Sequence, residues 1–259
     1  MGNDETSVGD FLKNLKVKNS LYNLATLQTV YGAGSIRAYK IYKILCENKL
    51  ISMNLDDILK SDVIDIKERE KIKAVKRHTV GKIFIDCENN GINILSICDD
   101  AYPERLRNIQ TPPLILYIKG SLPDIDNEPV FCIVGPRKIS EFGKRAAYSL
   151  SYRLARSGMI IVSGGALGGD THVHTGALKS GGKTLAVLGC GIMSDYLSAN
   201  NELRNKIAEN CCLVSEYPPY QKATKYSFPI RNRIMSGLSL GVAIVEAGEK
   251  SGTLVTAKH

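Results

Sequence analysis

The chain has 259 residues, 44% of them hydrophobic and 23% charged, which excludes a disordered protein and leaves room for one large or two modest cores. No apolar run approaches the roughly 18 residues of a membrane span, and the N-terminus MGNDETSVGDFLKNLK lacks the apolar stretch of a secretory signal. The formal net charge of +8 favours a polyanionic partner, but with +3 over residues 1–90, +5 over 91–259 and no polybasic tail, a nucleic-acid surface has to be assembled by folding.

Residues 1–10 are polar and expected to fray. From Phe11 to about Asn90 apolar residues recur at spacings of three and four, as in Leu21/Leu24/Ala25/Leu27 and Ile36/Tyr39/Ile41/Tyr42/Leu45, which predicts a helical domain over 1–90. Tyr31-Gly32-Ala33-Gly34-Ser35 reads as a helix-to-helix turn with Ser35 as N-cap. Two readings stay open for this part: a helix-hairpin-helix (or SAM-like) module gripping DNA backbone, or a small helical interaction domain. Few cations flank the turn.

At Gly91 the period changes, and residues 91–259 read as a second domain. Strands are predicted over 92–97, 114–118, 130–134, 159–162, 184–188, 211–214 and 241–245. Helices are predicted over 104–109 and 143–157, after Asp170, over 200–210, and from Ile230 to Ser236. Strand alternating with helix predicts an α/β fold, a Rossmann-like, doubly wound, mostly parallel sheet whose ligands lie beyond the C-terminal ends of its strands.

Those ends carry Gly135-Pro136-Arg137-Lys138, Ser163-Gly164-Gly165, Gly189-Cys190-Gly191, Ser215-Glu216 and Glu246-Ala247-Gly248. The second is the richest. Met159 to Val162 is a short buried strand, Ser163 to Asp170 a glycine turn, and Thr171 to Leu178 a helix, so backbone N–H groups gather at a helix N-terminus that favours phosphate. No G-x-G-x-x-G follows Val134, which argues against a dinucleotide site.

Arg137, just past a strand end, can grip a phosphate with its guanidinium. Ser163, Gly164, Gly165 and Ala166 would add amide and hydroxyl donors. Asp170 reads as a cap for its own helix, and His174 as a packed histidine. Arg231 and Arg233 flank Asn232 at a helix start; successive residues diverge by about 100°, so both cannot hold one phosphate, and one would bind DNA while the other braces the loops. Tyr196 and Phe228 either stack on bases or pack locally. No base–nucleophile pair is readable, so no catalytic residue is assigned. The seven cysteines form no C-x-x-C pair and no Cys/His spacing that suits zinc. No metal or cofactor is expected, and reduced thiols fit a cytoplasmic protein.

These residues resemble the DNA-processing protein A (DprA, also Smf) family. The match runs through Asp100-Ala101-Tyr102-Pro103-x-x-Leu106, Pro112-Pro113-x-Ile115-Leu116-Tyr117-x-x-Gly120, Ile133-Val134-Gly135-x-Arg137 and Ser163-Gly164-x-Ala166-x-Gly168-x-Asp170-x-x-x-His174. It continues with Gly182-Lys183-Thr184-x-Ala186-Val187-Leu188-Gly189, Phe228-Pro229-x-Arg231-Asn232-Arg233-Ile234-x-Ser236-Gly237-Leu238-Ser239, Glu246-Ala247 and Ser251-Gly252-x-Leu254-x-Thr256-Ala257. The resemblance covers roughly residues 90–259. It implies a cytosolic, dimeric, non-catalytic binder of single-stranded DNA that loads RecA during natural transformation. It also implies DNA-phosphate contacts from Gly135, Arg137, Ser163, Gly164, Gly165, Ala166, Gly168, Asn200, Arg231, Asn232, Arg233, Ser251, Gly252 and Thr253.

Three departures stand out. Pro136 occupies the family's serine place, Gly169 stands for a usual Ile or Val and would loosen its helix start, and Tyr196-Leu197-Ser198-Ala199-Asn200 lacks the lysine of a common Tyr-Pro-Lys-x-Asn pattern. The chain stops at Ala257-Lys258-His259, inside a helix the family continues, so a fragment lacking part of the dimer surface and any C-terminal winged helix is expected. Two other functions compete. The nucleoside monophosphate phosphoribohydrolases of the LOG group share glycine loops, but their Pro-Gly-Gly-x-Gly-Thr-x-x-Glu glutamate is missing after Gly252-Thr253. A nucleotide-sensing module would bind a mononucleotide tightly.

Overall fold

The computed structural model describes residues 17–196 and 198–247. Residues 1–10, Leu197 and the predicted phosphate ligands Ser251, Gly252 and Thr253 lie outside the described residues. Two compact units are present. The first holds the described residues up to Tyr102 with Thr111–Ile115; the second holds Pro103–Gln110 and the described residues from Leu116 onward.

The first unit comprises α1 (Asn19–Tyr31), α2 (Ile36–Glu47), α3 (Leu55–Lys60), α4 (Ile66–Lys73), α5 (Arg77–Asn89) and β1 (Asn93–Ser96). Three of its helix starts are written in side chains: Ser35, Asn54 and Asp65 each accept a hydrogen bond from the amide three residues on. Leu24, Leu27, Ile41, Leu45, Ile58, Ile72 and Phe84 fill its core. Glu68, 5% exposed, is held among them by Tyr31, Arg37 and Lys71.

The second unit follows with α6 (Glu104–Arg107), β2 (Ile115–Gly120), β3 (Val130–Val134), α7 (Glu141–Arg156), β4 (Ile160–Ser163), α8 (Gly169–Lys179) and β5 (Thr184–Leu188). After a 3₁₀ turn at Ser198–Asn200 come α9 (Asn201–Asn210), β6 (Cys212–Ser215), α10 (Ser227–Leu238) and β7 (Gly241–Ile244). The strands lie in the order β2-β6-β5-β4-β3-β7. All neighbours from β6 to β7 are parallel, and β2 runs antiparallel to β6. The chain steps from β3 to β6 in one direction and then returns past its start to β7. Strand direction and right-handed crossovers put α7, α8 and α9 on one face and α10 on the other. The doubly wound α/β expectation holds.

Burial on both faces explains the apolar strands. Every residue of β4 and β5 is buried, and each fully buried Ile, Leu or Val contributes about 1.5–3 kcal/mol. Ala147 and Ala155 of α7 and Val173 and Ala177 of α8 meet Ile133 and Ile161 of the sheet; the small residues let helices and sheet approach closely. The α7 helix starts earlier than its periodicity suggests because Ser140 caps Gly143 N at 3.0 Å while Glu246 accepts from the Ser140 hydroxyl at 2.7 Å. No helix among the described residues is long and apolar enough to cross a membrane.

Candidate nucleic-acid interface

The reversal between β3 and β7 creates the crevice in which doubly wound sheets bind ligands, and the turns after β3 and β4 meet beside it. They meet closely. Gly169 N donates to Pro136 O at 3.0 Å, and a β-carbon on Gly169 would lie 2.6 Å from the Gly135 Cα. Gly168 has φ +84°, and a β-carbon there would run into the carbonyl oxygen of Arg137. The missing side chains of Gly168 and Gly169 therefore fix the contact between the two turns.

Beneath the turns lies a buried polar layer. Arg231, 6% exposed, donates through Nη1 to Gly164 O at 2.7 Å and to Val187 O, and through Nε to Asn232 Oδ1 at 3.1 Å. Asp170, 5% exposed, accepts from Ala166 N at 3.2 Å. Burial raises the Asp170 carboxyl above the usual range, and the positive charge of Arg231 opposes that rise. Desolvation also lowers Arg231. Asn200 donates to Ala166 O at 3.1 Å, Gly165 O at 3.4 Å and Thr171 Oγ1 at 3.1 Å. Arg233 donates through Nη2 to both oxygens of buried Glu216 at 2.7 Å. Ser163 is fully buried, and its hydroxyl donates to Ile133 O at 2.7 Å.

These placements separate the predicted residues. Ser163, Asn200 and Arg231 bond the protein's own groups, and Asn232 accepts from Arg231. Arg233 reaches Glu216 through Nη2, while its Nε and Nη1 are buried without a hydrogen-bond partner among the described residues. Neither arginine faces outward. Gly164 and Gly165 are buried as well, Gly164 directly against the Arg231 guanidinium. Ala166, Gly135 and Gly168 are half-buried on the rim.

Arg137 stands apart. It is exposed, with its guanidinium carbon 4.9 Å from the Phe228 ring centre and 6.0 Å from that of Tyr196. The two half-buried rings lie 5.5 Å apart at 43°. A guanidinium over two aromatic faces keeps its N–H edges outward while its flat face gains the cation–π attraction. Tyr196 and Phe228 pack on each other, and each ring stays half-exposed.

Two supports have only faint sequence signals. Phe228 rests on Gly189, where a β-carbon would lie 2.9 Å from the ring. Arg204, 5% exposed, donates to Tyr196 O at 2.9 Å and so positions the aromatic loop. Its only hint is that it shares a helix face with buried Ile207 three residues on. His174, fully buried, pairs its Nδ1 with Thr184 Oγ1 at 2.8 Å, as a packed histidine should. Lys183 pairs with Glu128 at 2.7 Å at the opposite, N-terminal edge of the sheet. Among the described residues no group of three or more His, Cys, Asp or Glu could hold a metal ion.

Comparisons with known proteins bear on this arrangement. The model of the family described as DNA recombination-mediator protein A matches residues 93–259. A DNA processing protein DprA from Bacillus subtilis is 35% identical over 207 residues, which cover 77% of this chain and 70% of the relative. Another, from Streptococcus pneumoniae, is 34% identical over 236 residues, 86% of this chain and 83% of the relative. The X-ray structure of DprA from Streptococcus pneumoniae superposes with a TM-score of 0.77 at 32% identity, covering 93% of this chain and 82% of that one. DNA processing protein A from Helicobacter pylori, whose structure concerns its single-stranded DNA binding mode, superposes with a TM-score of 0.59 at 31% identity over 64% of this chain and 74% of its own.

Proposed function

We propose, from the premise that the chain belongs to the DNA recombination-mediator protein A family, that it binds single-stranded DNA, protects incoming strands and loads the RecA recombinase on them during natural transformation. The observation that carries the DNA-binding part is the exposed Arg137 guanidinium lying over Phe228 and Tyr196 at the ligand-binding edge of the sheet. In this reading Arg137 takes a backbone phosphate and the two rings accept unstacked bases, a sequence-tolerant contact worth about 1–3 kcal/mol per base. Arg231, Arg233, Asp170 and Asn200 keep the rim rigid without touching DNA. The protein acts as a binder without chemistry of its own, in a cytoplasmic setting. RecA loading and homodimerisation rest on family membership alone.

The test is fluorescence anisotropy with a labelled dT oligonucleotide, competed by duplex DNA and by AMP. Tight binding that neither competitor displaces is the expected result. Arg137→Ala should weaken it by about tenfold, leave the melting temperature nearly unchanged, and reduce the salt slope by about 0.7, one phosphate's share on a single strand. Absent single-strand binding would reject the proposal, and AMP displacing any residual signal would favour a nucleotide-binding protein.

A further inference from the structure

The outward face of α7 combines aromatic rings and exposed arginines in a way the rim site does not use. Phe142 is 73% exposed and Tyr148 36% exposed. Tyr148 and Tyr152 stack with ring centres 6.1 Å apart at 21°. Arg145, Arg153 and Arg156 are exposed, and none has an ion pair among the described residues. The helix's one acid, Glu141, pairs with Lys144 at 2.6 Å and also feels the Arg145 charge one turn on, so the helix keeps a net positive face. The opposite face is the one carrying Ala147, Ser151 and Ala155 into the core, so the arginines and rings are the surplus left outside.

Arg153 and Arg156, three residues apart, repel one another on the helix surface, while exposed Phe and Tyr lower its solubility. A polyanion carrying flat apolar rings complements both features at once. An acidic peptide would answer only the charge. The helix also starts a few residues beyond Arg137, at the same edge of the sheet. From Phe142 to Arg156 it runs about 21 Å, roughly six nucleotides at the ~3.4 Å stacked spacing.

We propose that the outer face of α7, with Phe142, Arg145, Tyr148, Tyr152, Arg153 and Arg156, is a second segment of the single-strand track, which continues the strand leaving Arg137. This rests on the single-strand reading above and extends it from a point contact to a path.

The experiment compares the whole chain with its Arg145→Ala/Arg153→Ala/Arg156→Ala variant, using labelled dT oligonucleotides of increasing length at several salt concentrations. Alanine at exposed helix positions favours the fold, so both proteins should have the same circular dichroism and similar melting temperatures. On a dT 5-mer the two should bind alike, because the rim suffices. On a dT 20-mer the variant should lose at least tenfold in affinity and about 2 from its salt slope, up to three phosphates' share. Phe142→Ala should weaken the 20-mer severalfold with an unchanged slope. Equal affinities and slopes on the 20-mer would overturn the proposal. So would a variant that keeps its 20-mer binding but loses poly-glutamate, since the face would then serve an acidic protein. If the unaltered chain binds no single strand of any length, the reading beneath the proposal fails instead.

Discussion

At the scale of single residues, the arrangement turns on which charges are buried and which are free to meet a ligand. Arg231 and Asp170 sit below the loop with almost no solvent contact. The arginine's main partners are backbone carbonyls, and Asp170 is held by loop amides. Removing one member of such a set leaves the other charge buried without compensation, a loss of roughly 3–5 kcal/mol. Arg231→Met should therefore shift the urea midpoint strongly. Adding Asp170→Asn should recover part of the loss, and a double-mutant cycle would measure that coupling. Arg137→Ala removes an exposed charge and should leave the midpoint almost unmoved. The contrast between these two arginines separates a bracing role from a binding one.

At the scale of elements, the turn after β3 and the start of α8 behave as one piece because glycine backbone packs on glycine backbone. Gly168→Ala would combine a strained φ with a clash against the Arg137 carbonyl. We expect it to cost about 2–3 kcal/mol and to weaken single-strand binding by displacing Arg137. Gly32, between α1 and α2, has a similar φ of +77° but open space around its missing side chain. Gly32→Ala should cost only the backbone term, about 1–2 kcal/mol, with DNA binding untouched. Thermal unfolding and anisotropy on the two variants would test both statements. The same logic explains Arg204, whose hydrogen bond to the Tyr196 carbonyl ties α9 to the aromatic loop.

At the scale of the whole molecule, His174 links the stability of the sheet unit to pH. Burial, reinforced by the Arg231 charge, pushes its imidazole down from 6.5 to about 3. A depressed folded-state pKa means that the unfolded chain takes up the proton first. The stabilisation from a neutral, buried ring is therefore complete above about pH 6.5 and is lost as pH falls toward 3, by ~1.4 kcal/mol per unit. Asp170 has the opposite sign. Its raised carboxyl favours the protonated form, so its ionisation at higher pH works against folding, a cost that the Arg231 charge reduces. Unfolding free energies at pH 7 and pH 4.5 should fall for the natural chain, and less for His174→Asn. An equal fall in both would assign the acid sensitivity to other groups.

The amino-acid sequence by itself determined the strand–helix alternation, the parallel sheet and the edge that carries the glycine turns. These depend on local periodicity and on runs such as Thr184–Leu188 that tolerate only burial on both faces. Ser35 as a cap and His174 as a packed ring were legible for the same reason, since each acts on its near surroundings. The DNA-processing family was legible too, because its motifs are ordered words along the chain. Which polar groups face outward was decided only in three dimensions. Arg137, Arg231 and Arg233 are alike as letters, and their surroundings differ because distant carbonyls hold Arg231 and Glu216 holds Arg233 inside, while Arg137 lies over Tyr196 and Phe228 at the surface. A side chain's free capacity is what remains after its neighbours have been satisfied, and those neighbours are set by tertiary packing.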